Sequence, residues 1–360
     1  VYNTEDVLNE LRAVFDSGWT GLGKKTEEFE QSIAQFVMAR YCLALNSCTS
    51  ALHLAIRSLD LMPGSKIITT PLTFVSTNHV MLYEKLIPVF CDIEKNTGNI
   101  DIDMAQEEIH RNKISAIVVV HFGGYPCNMD KLNTIPISII EDCAHAFGSE
   151  YGGIRIGSFG NICCWSFQAV KNLSIGDGGA ITTDDKSDYE RLKCMRWMGI
   201  NKSTIDRSAG GYSWEYAIDE LGYKYHMNDI TATIGLSGLK TIEQQNMRRR
   251  AIAHYYMTHL KAELPVYDRQ RVSSYHFLPV FVKNRDDMVI KLKERGISCG
   301  MHYKLNCDYP MYKDFKRINN CVNARYFSDH EVTLPINAYI SDSDVEKIVA
   351  EFNDIIDRNY

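Results

Sequence analysis

The segment Ser166-Phe167-Gln168-Ala169-Val170-Lys171-Asn172 sets a lysine between the apolar run ICCWSF and the turn Gly176-Asp177-Gly178-Gly179. A lysine amine held neutral by its surroundings is a nucleophile that forms a Schiff base with an aldehyde. Taken alone, Lys171 is equally well read as a solvated residue at a strand end. Other residues upstream carry compatible chemistry. Asn46-Ser47-Cys48-Thr49-Ser50 places small hydroxyls where a strand enters a helix. Backbone amides and the helix dipole cradle phosphate at such a point, although the same residue types also serve as plain N-caps. Ile139-Ile140-Glu141-Asp142 runs apolar and ends on an acid, which suits a carboxylate that keeps a pyridine nitrogen protonated, or a helix cap. His145 follows three residues later and offers a ring nitrogen to a ligand oxygen, or is a structural histidine. Phe74, in Pro71-Leu72-Thr73-Phe74, either stacks on a flat ring or packs in the core. Ser166 adds a hydroxyl five residues before Lys171. In chain order these are a phosphate cradle, an aromatic, a terminal acid, Ser-x4-Lys and Gly-x-Gly-Gly. Together they point to a phosphorylated aromatic aldehyde, pyridoxal 5′-phosphate.

Such residues meet only if strands end side by side. Amphipathic periodicity predicts helices over residues 4–16 and 26–38, and strands over 66–70, 87–92, 116–121, 138–141, 161–167 and 180–183. Helices fall between most of the strands, an α/β order that implies a mostly parallel sheet covered on both faces. Sites in such sheets lie at the carboxyl ends of the strands. Past about residue 242 the pattern changes. A long charged helix over 236–260 leads to a strand over 275–282, a helix over 287–295 and a last helix over 342–356. The expected division is a large α/β domain over residues 1–245 and a smaller α+β domain over 246–360, bridged by the long helix.

The 360 residues are enough for both domains and a sizeable core. A formal charge of −6 leaves no electrostatic footprint for nucleic acid, and Arg248-Arg249-Arg250 reads as a solvated helix face. No apolar stretch approaches the roughly 20 residues that span a bilayer, and no signal segment opens the chain. The eleven cysteines form no CxxC pair and several lie in apolar runs, which predicts reduced core thiols, no metal site and a cytoplasmic protein. Because the first residue is Val1, a short preceding segment is expected.

The chain resembles the DegT/StrS-type pyridoxal-phosphate sugar aminotransferases, of aspartate aminotransferase fold type I, over nearly its whole length. The resemblance runs through SGWTG at 17–21, NSCTSALHLA, PLTFVSTNHV, PVFCDI, VVHFGGYPCNMD, IEDCAHAFGSEYGG, GSFGN, SFQAVKN and GDGGAITT, then LGYKYHMNDITATIGL and GISCGMHY. It implies that Lys171 is the Schiff-base lysine and proton shuttle, and that Asp142 pairs with the pyridine nitrogen. It further implies that His145 meets the ring oxygen, that Phe74 stacks on the ring, and that Thr49, Ser50 and Ser166 hold the phosphate. Lys224 and His226, in the GYKY segment, would reach across a homodimer interface into a shared active site. His302 resembles a residue at the sugar-nucleotide site, and Trp19, Tyr212 and Trp214 are aromatics that could stack on the base or sugar. Gln168 stands where many relatives have His or Tyr, His226 where Asn or Arg is common, and residues 131–136 trim a helix.

The function implied is transfer of an amino group from glutamate to a nucleotide-linked keto sugar, for amino-sugar and polysaccharide biosynthesis. The related dehydratase branch carries histidine at the lysine position, so Lys171 argues against it. A non-catalytic sugar or cofactor sensor has no need of a nucleophilic lysine.

Overall fold

Strands here are apolar on both faces, because the sheet they form is covered on both sides. The computed structural model describes residues 4–201 and 215–359. Its main sheet contains β1 (Tyr41–Leu45), β2 (Lys66–Thr69), β3 (Ile87–Phe90), β4 (Ala116–Val120), β5 (Ser138–Asp142), β8 (Ile162–Ser166) and β9 (Gly179–Thr183), in the order β1-β9-β8-β5-β4-β2-β3. Only β9 runs against the other six. Period-two alternation divides each strand between two cores. Cys163, Trp165, Ile117 and Val119 face a core with Phe29 and Ile33. Cys164, Ala116, Val118 and Leu43 face another with Leu52, Ile56 and Val80. The short strand β6 (Glu150–Tyr151) pairs with β7 (Ile154–Arg155) on one side and with β10 (Arg271–Val272) on the other.

The covering helices are α1 (Thr4–Asp16), α2 (Lys24–Val37), α3 (Cys48–Ser58), α4 (Ser76–Tyr83), α5 (Ile102–Arg111), α6 (Met129–Leu132), α7 (Lys186–Met195) and α8 (Asp229–Leu239). Five begin on the side chains that favour a start: Ser47, Asp101, Asn128, Asp185 and Asn228 each accept from a backbone N–H of the first turn. Such a cap contributes about 1 kcal/mol. Helix α6 is four residues long and ends at Leu132, within the stretch 131–136. Among the described residues no helix is long and apolar enough to cross a membrane. All eleven cysteines are free thiols, and all but Cys194 and Cys299 are buried.

The C-terminal part contains α9 (Ile242–His259), β11 (Pro279–Phe281), α10 (Arg285–Glu294), α11 (Val322–His330), β12 (Glu331–Thr333) and α12 (Asp342–Asn359). Tyr256, Leu278, Val280, Val332 and Phe352 form a core there, while Phe122, Phe277, Leu305, Tyr312 and Phe327 form another that joins it to the main sheet.

Two elements differ from the sequence pattern. The helix expected over 236–260 is broken, because Thr241 leaves helical geometry at ψ 0° and the Lys240 N–H turns back to Gly238 and Ser237. The break lets α8 stay on α2 while α9 heads for the C-terminal core. The strand expected over 275–282 is only β11, because Tyr275 takes a left-handed φ of 44° and the next two N–H groups, of His276 and Phe277, both turn to Gly123 O instead of a strand partner.

Helix α8 lies so close to α2 that a Cβ on Gly235 would stand 2.5 Å from the Phe29 ring. Gly235→Ala should therefore destabilise the protein by about 1–2 kcal/mol, overpacking outweighing the gain in helix propensity. An unchanged or higher denaturant midpoint would contradict this packing.

Candidate active site

Lys171 follows β8, in the loop that returns as β9, and its backbone N–H closes a turn onto Gln168 O at 2.8 Å. Its neighbour Asn172 secures the loop. Asn172 Nδ2 donates to Asn246 Oδ1 on α9 and to Ser274 O, both at 2.9 Å, and Asn246 Nδ2 donates to Phe147 O. Burial drives the lysine amine below the usual lysine range, while the Asp142 carboxylate and the Cys48 sulfur pull it part of the way back. The amine and Asp142 act on each other without a direct ion pair.

Asp142 ends β5 and is buried. The Thr77 hydroxyl donates to its Oδ2 at 2.7 Å and the Ala144 N–H to its Oδ1 at 3.1 Å. Burial raises its carboxyl above the usual range, and these two donors offset part of the rise. The capping alternative is thus half true, since one oxygen serves the local turn. His145 is also buried. Its Nε2 meets the Tyr303 hydroxyl at 3.1 Å, its ring stacks on His276 at 4.6 Å, and its Nδ1 has no partner. Burial, then the Lys171 charge, hold it well below its usual range, so the ring is neutral.

Helix α3 opens at the end of β1. Ser47 Oγ accepts from Ser50 N–H at 3.1 Å, and Ser50 Oγ donates to Asn46 Oδ1 at 2.6 Å. Ser47 and Ser50 are therefore engaged locally, whereas the hydroxyls of Thr49 and Ser166 have no partner among the described residues. Gly179 keeps this corner open, because a Cβ there would stand 2.5 Å from Cys48 N. Phe74 is 58% exposed in the loop before α4, which rules out the core reading.

The residues expected to contact substrate divide into two groups. Trp19, Lys224 and His226 line a cleft of about 790 Å³ with Arg40, Lys193 and Arg196. Lys224 Nζ lies 5.4 Å over the Trp197 ring, and His226 meets that ring edge-on at 4.3 Å. Burial, then Arg196 and Lys224, push His226 down to about 4. His302 is not among the residues lining this cleft. It stacks on Phe277 at 4.2 Å and stands near enough to Lys171 for the two charges to interact. Tyr212 and Trp214 lie outside the described residues. Sequence reasoning missed Cys48 and His276, which interact with Lys171, Thr77, which holds Asp142, and Tyr303, which meets His145. Three of them lay within motifs already marked, Cys48 in NSCTS, Thr77 in PLTFVSTNHV and Tyr303 in GISCGMHY, whereas His276 had no such signal.

A mostly parallel sheet with a half-buried lysine, a buried acid and an open helix N-terminus at its carboxyl edge defines a pyridoxal-phosphate enzyme of fold type I. The chain belongs to the DegT/DnrJ/EryC1/StrS aminotransferase family, whose model matches residues 2–353. It is 33% identical to the spore coat polysaccharide biosynthesis protein SpsC of Bacillus subtilis, over 98% of this chain and 95% of that one. Among solved structures it superposes on the putative sugar aminotransferase Spr1654 from Streptococcus pneumoniae in its PMP form, at TM-score 0.92 and 28% identity, covering 98% of this chain and 97% of that one. It also superposes on the sugar aminotransferase CalS13 from Micromonospora echinospora at TM-score 0.89 and 28% identity, covering 97% and 96%.

The cofactor is pyridoxal 5′-phosphate, and Spr1654 has been solved with it as well. The residues present fit that group. The orphaned His145 Nδ1, the unpartnered Thr49 and Ser166 hydroxyls and the opening kept by Gly179 each match one of its polar parts.

In the unliganded fold a lysine with a lowered pKa costs stability. The folded chain binds fewer protons than the unfolded one between the depressed value and the ordinary value of about 10.4. The cost is full below that window and gone above it. Lys171→Met should therefore raise the Tm of the cofactor-free protein at pH 7, with the gain shrinking as pH approaches 10.5. Equal gains at both pH values would refute the burial argument.

Proposed function

We propose that this chain transfers the amino group of glutamate to a nucleotide-linked keto sugar, as a cytoplasmic homodimer with shared active sites, in amino-sugar and polysaccharide biosynthesis. The feature that carries the reading is the half-buried Lys171, which no ion pair ties to the neighbouring Asp142 and whose amine desolvation lowers below the usual lysine range. The names of SpsC, Spr1654 and CalS13 support the sugar and polysaccharide side of the proposal. We also take residues 1–245 and 246–360 as its two domains.

When bound, pyridoxal 5′-phosphate supplies the electron sink for charge developing at the donor's α-carbon. The chain's own residues do the rest. Asp142, fixed by Thr77 and Ala144, would hold the ring nitrogen protonated, the unpartnered His145 Nδ1 would serve the ring oxygen, and the exposed Phe74 would stack on the ring. Thr49, Ser166 and the first amides of α3 would hold the phosphate, joined by Ser50 once its hydroxyl turns away from Asn46. Once its amine is free and neutral, Lys171 is the base that moves a proton to and from the α-carbon. Lys224, borne on a segment whose backbone accepts from Asn46, extends from one subunit toward its partner's phosphate. Exposed Ile218 and Leu221 nearby suit a surface covered by a second subunit. Trp19 and His226, in a cleft carrying Arg40 and Lys193, suit the base and phosphates of a nucleotide, and His302 suits the sugar. The dehydratase reading is disfavoured by Lys171 itself, and the sensor reading by the depressed amine.

Reconstituted protein should show a visible absorption band that Lys171→Ala abolishes. Addition of glutamate should convert the cofactor to its amine form with release of 2-oxoglutarate. Amino transfer should follow with nucleotide-linked keto sugars, not with the free sugars, and Lys171→Ala should slow it by at least about 10²–10⁴-fold. If no amino acid converts the cofactor, the aminotransferase reading fails. If free sugars serve equally well, only the nucleotide part fails.

A further inference from the structure

His302 is held by two residues that the reaction described so far does not use. Its backbone N–H donates to Glu331 Oε2 at 2.7 Å, and its Nδ1 lies 2.8 Å from Thr333 Oγ1. The Thr333 hydroxyl in turn donates to Glu331 Oε1, so both carboxyl oxygens are engaged along one short path. Glu331 is 1% exposed and opens β12, paired with Phe281 of β11. A carboxylate so deeply buried requires a compensating charge or a proton, and no ion pair reaches it among the described residues. The ring is fixed on its other sides by Phe277 beneath it, Tyr303 edge-on at 4.8 Å, and Gly300, where a Cβ would meet the ring at 3.0 Å. Its Nε2 has no partner among the described residues.

We propose that His302, Thr333 and Glu331 form a proton relay in which His302 Nε2 takes up and returns a proton while the ring stays neutral. With Glu331 ionised, Nδ1–H donates to Thr333 Oγ1 and Thr333 O–H donates to Glu331. A proton arriving at Nε2 sends the Nδ1 proton to Thr333 Oγ1 and the Thr333 proton to Glu331. One proton enters, Glu331 becomes neutral, and the imidazole changes tautomer without becoming a cation. The relay gives the site a proton acceptor besides Lys171 for a substrate N–H or O–H. Its use there rests on the function proposed above, but its existence does not.

Electrostatics support the direction. Burial pushes Glu331 up to about 8, despite the donors from His302 and Thr333 and the Arg285 charge on α10. Burial, then the Lys171 charge, push His302 down to about 4, so the ring itself is a poor cation near neutrality. Cys299 and Tyr303 also face Glu331, and both are held neutral there by burial. His145 and His276, close enough to feel His302, are neutral as well. Glu331 is thus the group in this cluster that titrates near pH 8.

The test is ¹⁵N NMR of the His302 ring in the full-length holoenzyme from pH 6 to 9.5, with the signal assigned through His302→Gln. The ring should carry its proton on Nε2 at pH 6 and on Nδ1 at pH 9.5, with a midpoint near 8 and no imidazolium signal. Thr333→Val should abolish the exchange, Thr333→Ser should restore it, and Glu331→Gln should lock the Nε2–H form. The pH dependence of kcat near 8 should disappear in both Thr333→Val and Glu331→Gln. A wild-type ring with one tautomer throughout, or an exchange that survives Thr333→Val, overturns the relay whatever the variants do to folding. Tautomer exchange in a protein that transfers no amino group overturns the proposed function and leaves the relay standing. Amino transfer with a fixed tautomer does the reverse.

Discussion

The structure depends on keeping a lysine amine out of water beside a buried carboxylate. Each group alone is expensive to bury as an ion, and the two shift in the same physical sense, Lys171 down and Asp142 up, because desolvation is the first cause for both. A direct ion pair would relieve that cost and leave the amine charged and inert. The fold prevents this by giving each group other restraints. Thr77 and Ala144 hold Asp142 at the end of β5, and the Asn172–Asn246 amide pair anchors the loop that carries Lys171.

The sheet topology makes that arrangement possible. Strands β1, β5 and β8 run parallel and end at the same edge, which brings the start of α3, Asp142 and Ser166 together from positions 47 to 166. Strand β9 returns antiparallel through Gly179, so the loop carrying Lys171 folds back over the N-terminus of α3. The C-terminal part contributes the opposite wall. His276, Phe277, His302 and Tyr303 form an aromatic layer against His145, and burial keeps these histidines neutral. A site lined by neutral rings has fewer cations to compete with the lysine for the acid.

Much of this was legible in the sequence. The predicted strands of the main sheet appeared within a residue or two of their expected ends, because apolar β-branched runs bounded by turn residues carry that signal locally. The broken helix at Thr241 and the truncated strand after Tyr275 were not legible, since both interruptions are single-residue backbone changes demanded by packing on distant elements. Phe74 shows the same limit from the other side. Its motif marked it as important, yet only its exposure separates an open ring face from a core residue. The predicted substrate residues illustrate it again, since one chain folds Trp19, Lys224 and His226 into one cleft and leaves His302 elsewhere.

The sequence by itself determined the α/β order and the family, and it singled out Lys171 and Asp142 as the candidate Schiff-base lysine and its acid partner. These rest on residue types in a fixed order, and order along a chain is what a sequence records. Tertiary structure alone decided that Lys171 is desolvated, that His145 has an unpartnered nitrogen, and that Thr333 and Glu331 stand behind His302. Those properties come from burial and from contacts between residues tens to hundreds of positions apart, such as Asn46 with Lys224 or Asn172 with Ser274. Desolvation and hydrogen-bond geometry exist only once such residues have been brought together.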